Sequence, residues 1–120
     1  MRVPILKQGH YLIASIQSAL TDADLLQLRD ELAEMAGRHR SRGIIIDVTV
    51  LDVMDSFAVR TLRSIVHIVR LRGTSTVIVG IQPDVAFAMV QLGLTLGSVE
   101  TALDLEEGLA LLELGRESRE

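Results

Sequence analysis

The densest group of side chains capable of chemistry lies near the middle of the chain. Residues 47–57 hold three aspartates and a serine, including Asp52, Asp55 and Ser56. The β-branched run 43–48 comes before them and a helical pattern follows, so the segment leads from the end of a strand to the start of a helix. In open α/β sheets, ligands and partners bind at that edge. Ser56 is therefore the principal candidate for a functional side chain.

Two interpretations of Ser56 are open. As a helix cap, its hydroxyl would accept a hydrogen bond from a first-turn N–H and contribute about 1 kcal/mol. As a modification site, it would hold a phosphate at the positive end of the helix dipole. That phosphate would add a charge of roughly −1.5 to −2 beside Asp52 and Asp55 and repel a docked partner without unfolding the domain. Spacing alone favours the cap.

Other catalytic arrangements are missing from the sequence. His10, His39 and His67 have no metal-ligand spacing, and there is no Gly-x-Ser-x-Gly elbow. The single lysine, Lys7, does not follow a Gly-rich phosphate loop, and the absence of Cys excludes disulfides and Cys-ligated metals. We therefore expect no enzymatic activity, no catalytic residue, no cofactor and no metal.

Charge is distributed unevenly between two helical regions. Residues 22–36 carry five acids, Asp22 and Asp24 among them, against one arginine, whereas residues 56–72 carry four arginines and no acid. Arg60, Arg63, Ser64, His67 and Arg70 share one face of the second region. A solvated face explains any single arginine, but the complementary charges favour protein docking. Nucleic-acid binding is not expected, because aromatic residues make up 2% of the chain and the net charge is −4.

Length and hydropathy indicate one domain. The 120 residues suit a single core, and the longest uncharged stretch, between Asp84 and Glu100, is shorter than the roughly 20 residues of a transmembrane helix. The N-terminus lacks the apolar core of a signal peptide. We expect a cytoplasmic protein with a single domain over residues 1–114 and a polar, frayed tail over residues 115–120.

The hydrophobic periodicity predicts an α/β fold with a mixed, mostly parallel sheet of four or five strands and about four packed helices. Predicted strands span 3–7, 11–16, 43–48, 75–80 and 98–102, the first two forming a hairpin; predicted helices span 22–36, 57–72, a segment from Pro83 to Gly93, and a last one capped by Asp104. Thr21 and Asp24 have capping-box spacing. Gly80 and Gln82 lie in a strand-to-helix turn expected at the same edge as Ser56, where ordinary helix initiation would also explain them.

The Asp55-Ser56 pair, after a strand that ends Ile46-Asp47-Val48, resembles the STAS family of anti-sigma-factor antagonists over residues 3–114. Phe57-Ala58-Val59 departs from the Ser-Gly-Leu-type run of the common antagonists. The segments 80–83 and 100–106 are similar to the stressosome branch. Because the chain begins at its first strand, it resembles the small scaffold proteins of that branch, whereas the co-antagonists carry an N-terminal sensory domain.

The resemblance implies a role in signalling. Such scaffolds co-assemble with sensor-bearing STAS co-antagonist subunits and hold a GHKL-type serine kinase inactive. Under stress the kinase phosphorylates the serine that matches Ser56 and leaves, and a dedicated phosphatase resets the site. The family likeness also implies that Thr21, Asp22 and Asp24 lie near the docking surface. Charge and position in the sequence add further candidate partner-binding residues, which are Asp52, Asp55, Arg60, Arg63, Gly80 and Gln82.

Three alternatives stay open. The edge at Ser56 and Gly80 could bind a nucleotide or another anion at helix N-termini. The chain could be a simple anti-sigma-factor antagonist, or a structural subunit in which Ser56 is only a cap. The sequence favours the phosphorylated scaffold but does not separate self-association from a large hetero-oligomer.

Overall fold

The structure is a computed structural model that describes residues 2–93 and 99–119, with side chains to residue 115. Nine elements follow one another along the chain. They are β1 (Ile5–Gln8), β2 (Tyr11–Ser15), α1 (Asp22–Arg38), β3 (Gly43–Asp47), α2 (Ser56–Arg70), β4 (Ser75–Val79), α3 (Pro83–Gln91), β5 (Glu100–Ala102) and α4 (Leu105–Arg119). The order agrees with the predicted one.

The five strands form one sheet in the order of the chain, β1-β2-β3-β4-β5. β1 pairs with β2 antiparallel through the tight turn at Gly9, whose φ is +61°, and the other neighbours are parallel. The predicted α/β fold with a mixed, mostly parallel sheet and an N-terminal hairpin is therefore confirmed. Because β2 to β5 point the same way, every helix begins beyond the carboxyl ends of these strands, which we call the carboxyl edge; the opposite edge is the amino edge.

β3 lies at the centre of the sheet and is apolar on both sides. Ile44 and Ile46 belong to a core with residues of α1 and α2, whereas Ile45 faces the opposite core with Leu112 of α4. All three isoleucines are fully buried. Helices on both faces explain why β3 is a continuous hydrophobic run rather than an alternating one.

The starts of α1, α3 and α4 follow the predicted chemistry. At α1 the Thr21 hydroxyl accepts from the Asp24 backbone N–H and the Asp24 carboxylate accepts from the Thr21 N–H, both at 3.1 Å. Pro83 opens α3, and the Asp104 carboxylate accepts from the Glu107 N–H at 2.8 Å. These contacts confirm the capping box, the N-terminal proline and the last cap.

Two predicted boundaries fall at the limits of the described residues. The last strand, expected over 98–102, begins at Glu100, and residue 98 lies outside the described part. The backbone of α4 is helical to Arg119, past the expected start of the frayed tail at Gly115. None of the described helices is long and apolar enough to span a membrane.

α4 packs closely against the sheet at Gly108, and this contact generates a stability prediction. A Cβ there would lie 2.8 Å from Val79 Cγ1, whereas one at Gly115 would have nothing within 4 Å. We expect Gly108→Ala to be less stable than Gly115→Ala by about 1–3 kcal/mol, because only the first forces the core apart. Urea unfolding measures the difference, and equal stabilities would contradict the close packing of α4.

Candidate functional site

Ser56 is the first residue of α2, and Asp55 is the residue that caps the helix. The Asp55 Oδ1 atom accepts from the Ala58 N–H at 2.8 Å, and the Asp55 carbonyl accepts the first helical hydrogen bond from Val59 at 3.1 Å. The prediction that Ser56 itself caps α2 was wrong. Asp55 has the extended backbone of a cap residue, and its carboxylate reaches the third N–H of the helix.

This division leaves the Ser56 side chain without a structural task. The residue is half-buried, and its hydroxyl forms no hydrogen bond to another residue within the described ranges. The backbone N–H groups of Ser56 and Phe57 point out of the first turn, where an α-helix offers them no partner. The start of α2 therefore combines a reachable hydroxyl with two unused donors and the positive end of a helix dipole.

The loop that leads to Ser56 is held by Thr49, a residue that the sequence analysis did not single out. Asp47 Oδ1 accepts from the Thr49 N–H at 2.9 Å and from its hydroxyl at 2.6 Å. The Asp-x-Thr spacing is typical of a turn in which an aspartate bonds the backbone two residues ahead. That spacing was the available signal for Thr49.

Gly80 and Gln82 support this loop from the neighbouring turn. Gly80 has a φ of +81°, and a Cβ at that position would overlap Thr49 Oγ1 and lie 2.9 Å from Thr49 Cβ. The Gln82 side chain donates to the Thr49 carbonyl at 2.6 Å. The structure thus brings both predicted residues to the loop before Ser56, where they contact Thr49; their contact with a partner stays a prediction.

The predicted acidic residues differ in what they do. Asp22 and Asp52 are exposed, Asp55 is exposed while it caps α2, and the half-buried Asp24 closes the capping box of α1. Asp22 and Asp24 lie in the first turn of α1, and Asp52 and Asp55 lie in the loop after β3. All four therefore lie at the carboxyl edge, which carries a concentration of negative charge.

A shallow groove of about 220 Å³ runs between α1 and α2, immediately after Ser56. Leu26 and Arg29 line one side, and Phe57, Arg60, Thr61 and Ser64 line the other. Arg60 is exposed in this groove, whereas Arg63, on the same helix, is half-buried. The groove thus offers apolar and cationic contacts beside the hydroxyl of Ser56.

Two exposed valines add apolar surface to the same loop. Val50 is 57% exposed and Val53 is 75% exposed, and both lie within six residues of Ser56 in the sequence. Exposed apolar side chains grouped in one place are typical of a protein-binding surface. In the described part of the chain, no group of three or more acidic or histidine side chains could hold a metal ion.

The profile of the STAS domain matches residues 2–108. The chain belongs to the STAS family. This confirms the resemblance noted in the sequence and fits the sheet order, the N-terminal hairpin and the helix start at Ser56.

Within the STAS family, the fold is close to that of stressosome proteins. A variant of RsbS from Moorella thermoacetica, with one serine replaced by glutamate, is 36% identical with a TM-score of 0.83, covering 97% of this chain and 99% of that one. A chain from the molecular architecture of the stressosome is 35% identical with a TM-score of 0.80, covering 94% and 98%.

A curated relative points to the same branch of the STAS family. The RsbT co-antagonist protein RsbRA of Bacillus subtilis (strain 168) is 30% identical over 83 residues, which is 69% of this chain. The matched stretch spans 30% of the length of RsbRA. The anti-sigma-factor antagonist SpoIIAA, at 15% identity and a TM-score of 0.67, shares the fold. The likeness in fold to stressosome proteins and to anti-sigma-factor antagonists, expected from the sequence, is thereby confirmed.

The cap assignment in this STAS domain can be tested by stability. We expect Asp55→Ala to lower the free energy of unfolding by about 1 kcal/mol, because the Ala58 N–H loses its partner. Ser56→Ala should stay within about 0.5 kcal/mol of the wild type. Both values come from urea unfolding; a larger loss at Ser56 than at Asp55 would contradict the division of tasks.

The contact of Gly80 with Thr49 has a matched control within the chain. Gly73 also has a positive φ, +85°, but a Cβ there would meet nothing within 4 Å. We expect Gly80→Ala to be less stable than Gly73→Ala by about 1–3 kcal/mol, since both bear the backbone strain and only the first displaces Thr49. Equal thermal unfolding of the two variants would show that the loop does not depend on this contact.

Proposed function

We propose that this chain is a phosphorylation-controlled regulatory scaffold, a binding module rather than an enzyme, and that Ser56 is its modified residue. The observation that carries the proposal is the hydroxyl at the first position of α2, which is reachable and has no capping task because Asp55 performs it. Membership of the STAS family and the likeness to stressosome structures support this placement.

Electrostatics explain how such a switch would act. A phosphate on Ser56 would face the unused N–H groups of Ser56 and Phe57 at the positive end of α2, so the domain tolerates it. The same group adds a charge of roughly −1.5 to −2 to an edge that already carries Asp52 and Asp55. A partner seated there would have to desolvate that charge, and it would dissociate while the fold stays intact.

The surface around Ser56 fits a protein partner better than a nucleotide. Val50, Val53 and Phe57 provide apolar contacts, and Arg60 adds a cation in the neighbouring groove. Over Gly80, where an anion could otherwise approach the backbone, the side chain of Thr49 fills the space. Complementary polar groups around apolar anchors are characteristic of protein interfaces.

The partners follow from the family and from the relatives. We propose that the chain co-assembles with sensor-bearing STAS co-antagonists and holds a GHKL-type serine kinase until that kinase phosphorylates Ser56. A dedicated phosphatase would restore the unmodified state. Asp22, Asp24 and Arg63 are proposed to border the kinase-binding surface, together with the loop that Gly80 and Gln82 support. We place this assembly in the cytoplasm.

The proposal predicts one phosphorylation site and different effects of two Ser56 variants on kinase binding. Co-purification of the tagged full chain from its native cell, with phosphosite mapping by mass spectrometry, should give a serine kinase and phosphate on Ser56. Ser56→Asp should weaken binding of that kinase at least tenfold in a pull-down titration, with an unchanged melting temperature. Ser56→Ala should retain the kinase, because the surface keeps its charge.

Gln91→Glu is the matched control, since it adds one negative charge at an exposed position of α3 away from this surface. It should bind the kinase like the wild type. Phosphate found elsewhere with Ser56 unmodified would overturn the site, and loss of the kinase from Ser56→Ala would overturn the mechanism. Equal weakening of kinase binding by Ser56→Asp and Gln91→Glu would show that the effect comes from net charge and not from the position of Ser56.

A further inference from the structure

The helices α1 and α2 end in the same backbone motif but with different residues at its critical position. In α1, Ser41 N–H donates to the Ala36 carbonyl and Arg40 N–H to the Gly37 carbonyl; in α2, Thr74 N–H donates to Val69 and Gly73 N–H to Arg70. Both are Schellman motifs, in which one residue adopts a left-handed conformation. That residue is Gly73 in α2, with a φ of +85°, and Arg40 in α1, with a φ of +49°.

Arg40 is thus an arginine where glycine is the stable choice. Across residues 2–93 and 99–119 it is the one non-glycine residue with a positive φ. A side chain in this conformation carries strain, and strained residues that persist are concentrated at functional sites. The comparison with Gly73 shows that the motif itself does not need the guanidinium. The presence of arginine at position 40 must therefore have a cause other than the backbone motif.

Arg40 lines a groove of about 490 Å³ at the amino edge together with two further arginines. Its lining consists of Ala36, Gly37, Arg40, Ser41, Arg42, Arg72 and Gly73. The three arginines come from the end of α1, the start of β3 and the end of α2, and none of them pairs with a carboxylate of the described residues.

Gly37 makes room for one of these guanidinium groups. A Cβ at position 37 would overlap the Arg72 guanidinium and lie 2.7 Å from its Nε atom. Any larger residue would push Arg72 away from the groove. The Thr74 hydroxyl donates to the Ser41 carbonyl at 2.8 Å and joins the two helix ends, so the walls that carry Arg40 and Arg72 are tied together.

Neutralisation of the helix dipoles does not account for three arginines. Cations near a helix C-terminus are stabilising, and Arg38 and Arg70 already occupy the last turns of α1 and α2. Arg40, Arg42 and Arg72 therefore leave an excess of positive charge in a concave site. Of the residues that line it, none is acidic or aromatic.

We infer that this groove binds a small anion that carries phosphate. Guanidinium forks match phosphate oxygens in pairs, and three of them suit a ligand with more than one negative charge. The lining has no aromatic side chain on which a base could stack and no large apolar anchor for a peptide, so a compact phosphate compound is favoured. The groove lies at the opposite edge from Ser56, and its occupation does not require the proposed switch.

Isothermal titration of the full chain with inorganic pyrophosphate, at an ionic strength matched with sodium chloride, tests the inference. The decisive variant is Arg40→Gly, which gives α1 the same motif as α2. We expect it to bind pyrophosphate at least tenfold more weakly than the wild type while its melting temperature without ligand is equal or higher. Weaker binding without loss of thermal stability would show that Arg40 serves the ligand and not the fold.

Arg2→Gln is the charge-matched control, because Arg2 is exposed, pairs with Glu31 and is not part of the lining of this groove. It should keep the wild-type affinity. No binding of pyrophosphate beyond the chloride reference would overturn the inference, as would equal losses in Arg40→Gly and Arg2→Gln. Sedimentation of the same samples provides a second check: a change of self-association by Arg40→Gly with unchanged pyrophosphate binding would reassign the groove to a protein contact.

Discussion

The parallel run of β2 to β5 is the constraint on which the rest of this structure depends. Because each parallel connection must return across the sheet, the helices between these strands begin at one edge and end at the other. The dipoles of α1 and α2 therefore point the same way, and the two edges have opposite chemistry. Acidic residues and unused N–H groups gather where helices start, and arginines gather where α1 and α2 end.

At the carboxyl edge, the residue that caps α2 is not the residue that we propose to be modified. Asp55 holds the start of α2 with its own carboxylate, so the adjacent Ser56 is free to change chemically without loss of the helix. The loop before it is equally independent of Ser56, since Asp47, Gly80 and Gln82 all meet at Thr49. Capping of the helix and the proposed phosphorylation thus fall to neighbouring but separate side chains, Asp55 and Ser56.

Most of the fold was predictable because its elements are determined by short-range sequence patterns. The isoleucine run of β3, the capping box at Thr21 and the proline of α3 each have a short-range physical cause, and all three agree with the structure. The site was predictable only in part. Whether Asp55 or Ser56 caps α2 depends on backbone angles of a single residue, and the role of Thr49 depends on contacts between distant segments that spacing along the chain does not report.

The sheet order, which equals the order of the strands in the chain, has a further consequence for how the molecule reaches its native state. Every strand pairs with the one before it, so each new pairing closes only the loop formed by a single hairpin or crossover. The entropic cost of loop closure is therefore smaller than in sheets that join more remote strands, although each parallel pairing must still wait for its crossover to close. The N-terminal hairpin closes the shortest loop and is therefore the strand pairing expected to form most readily.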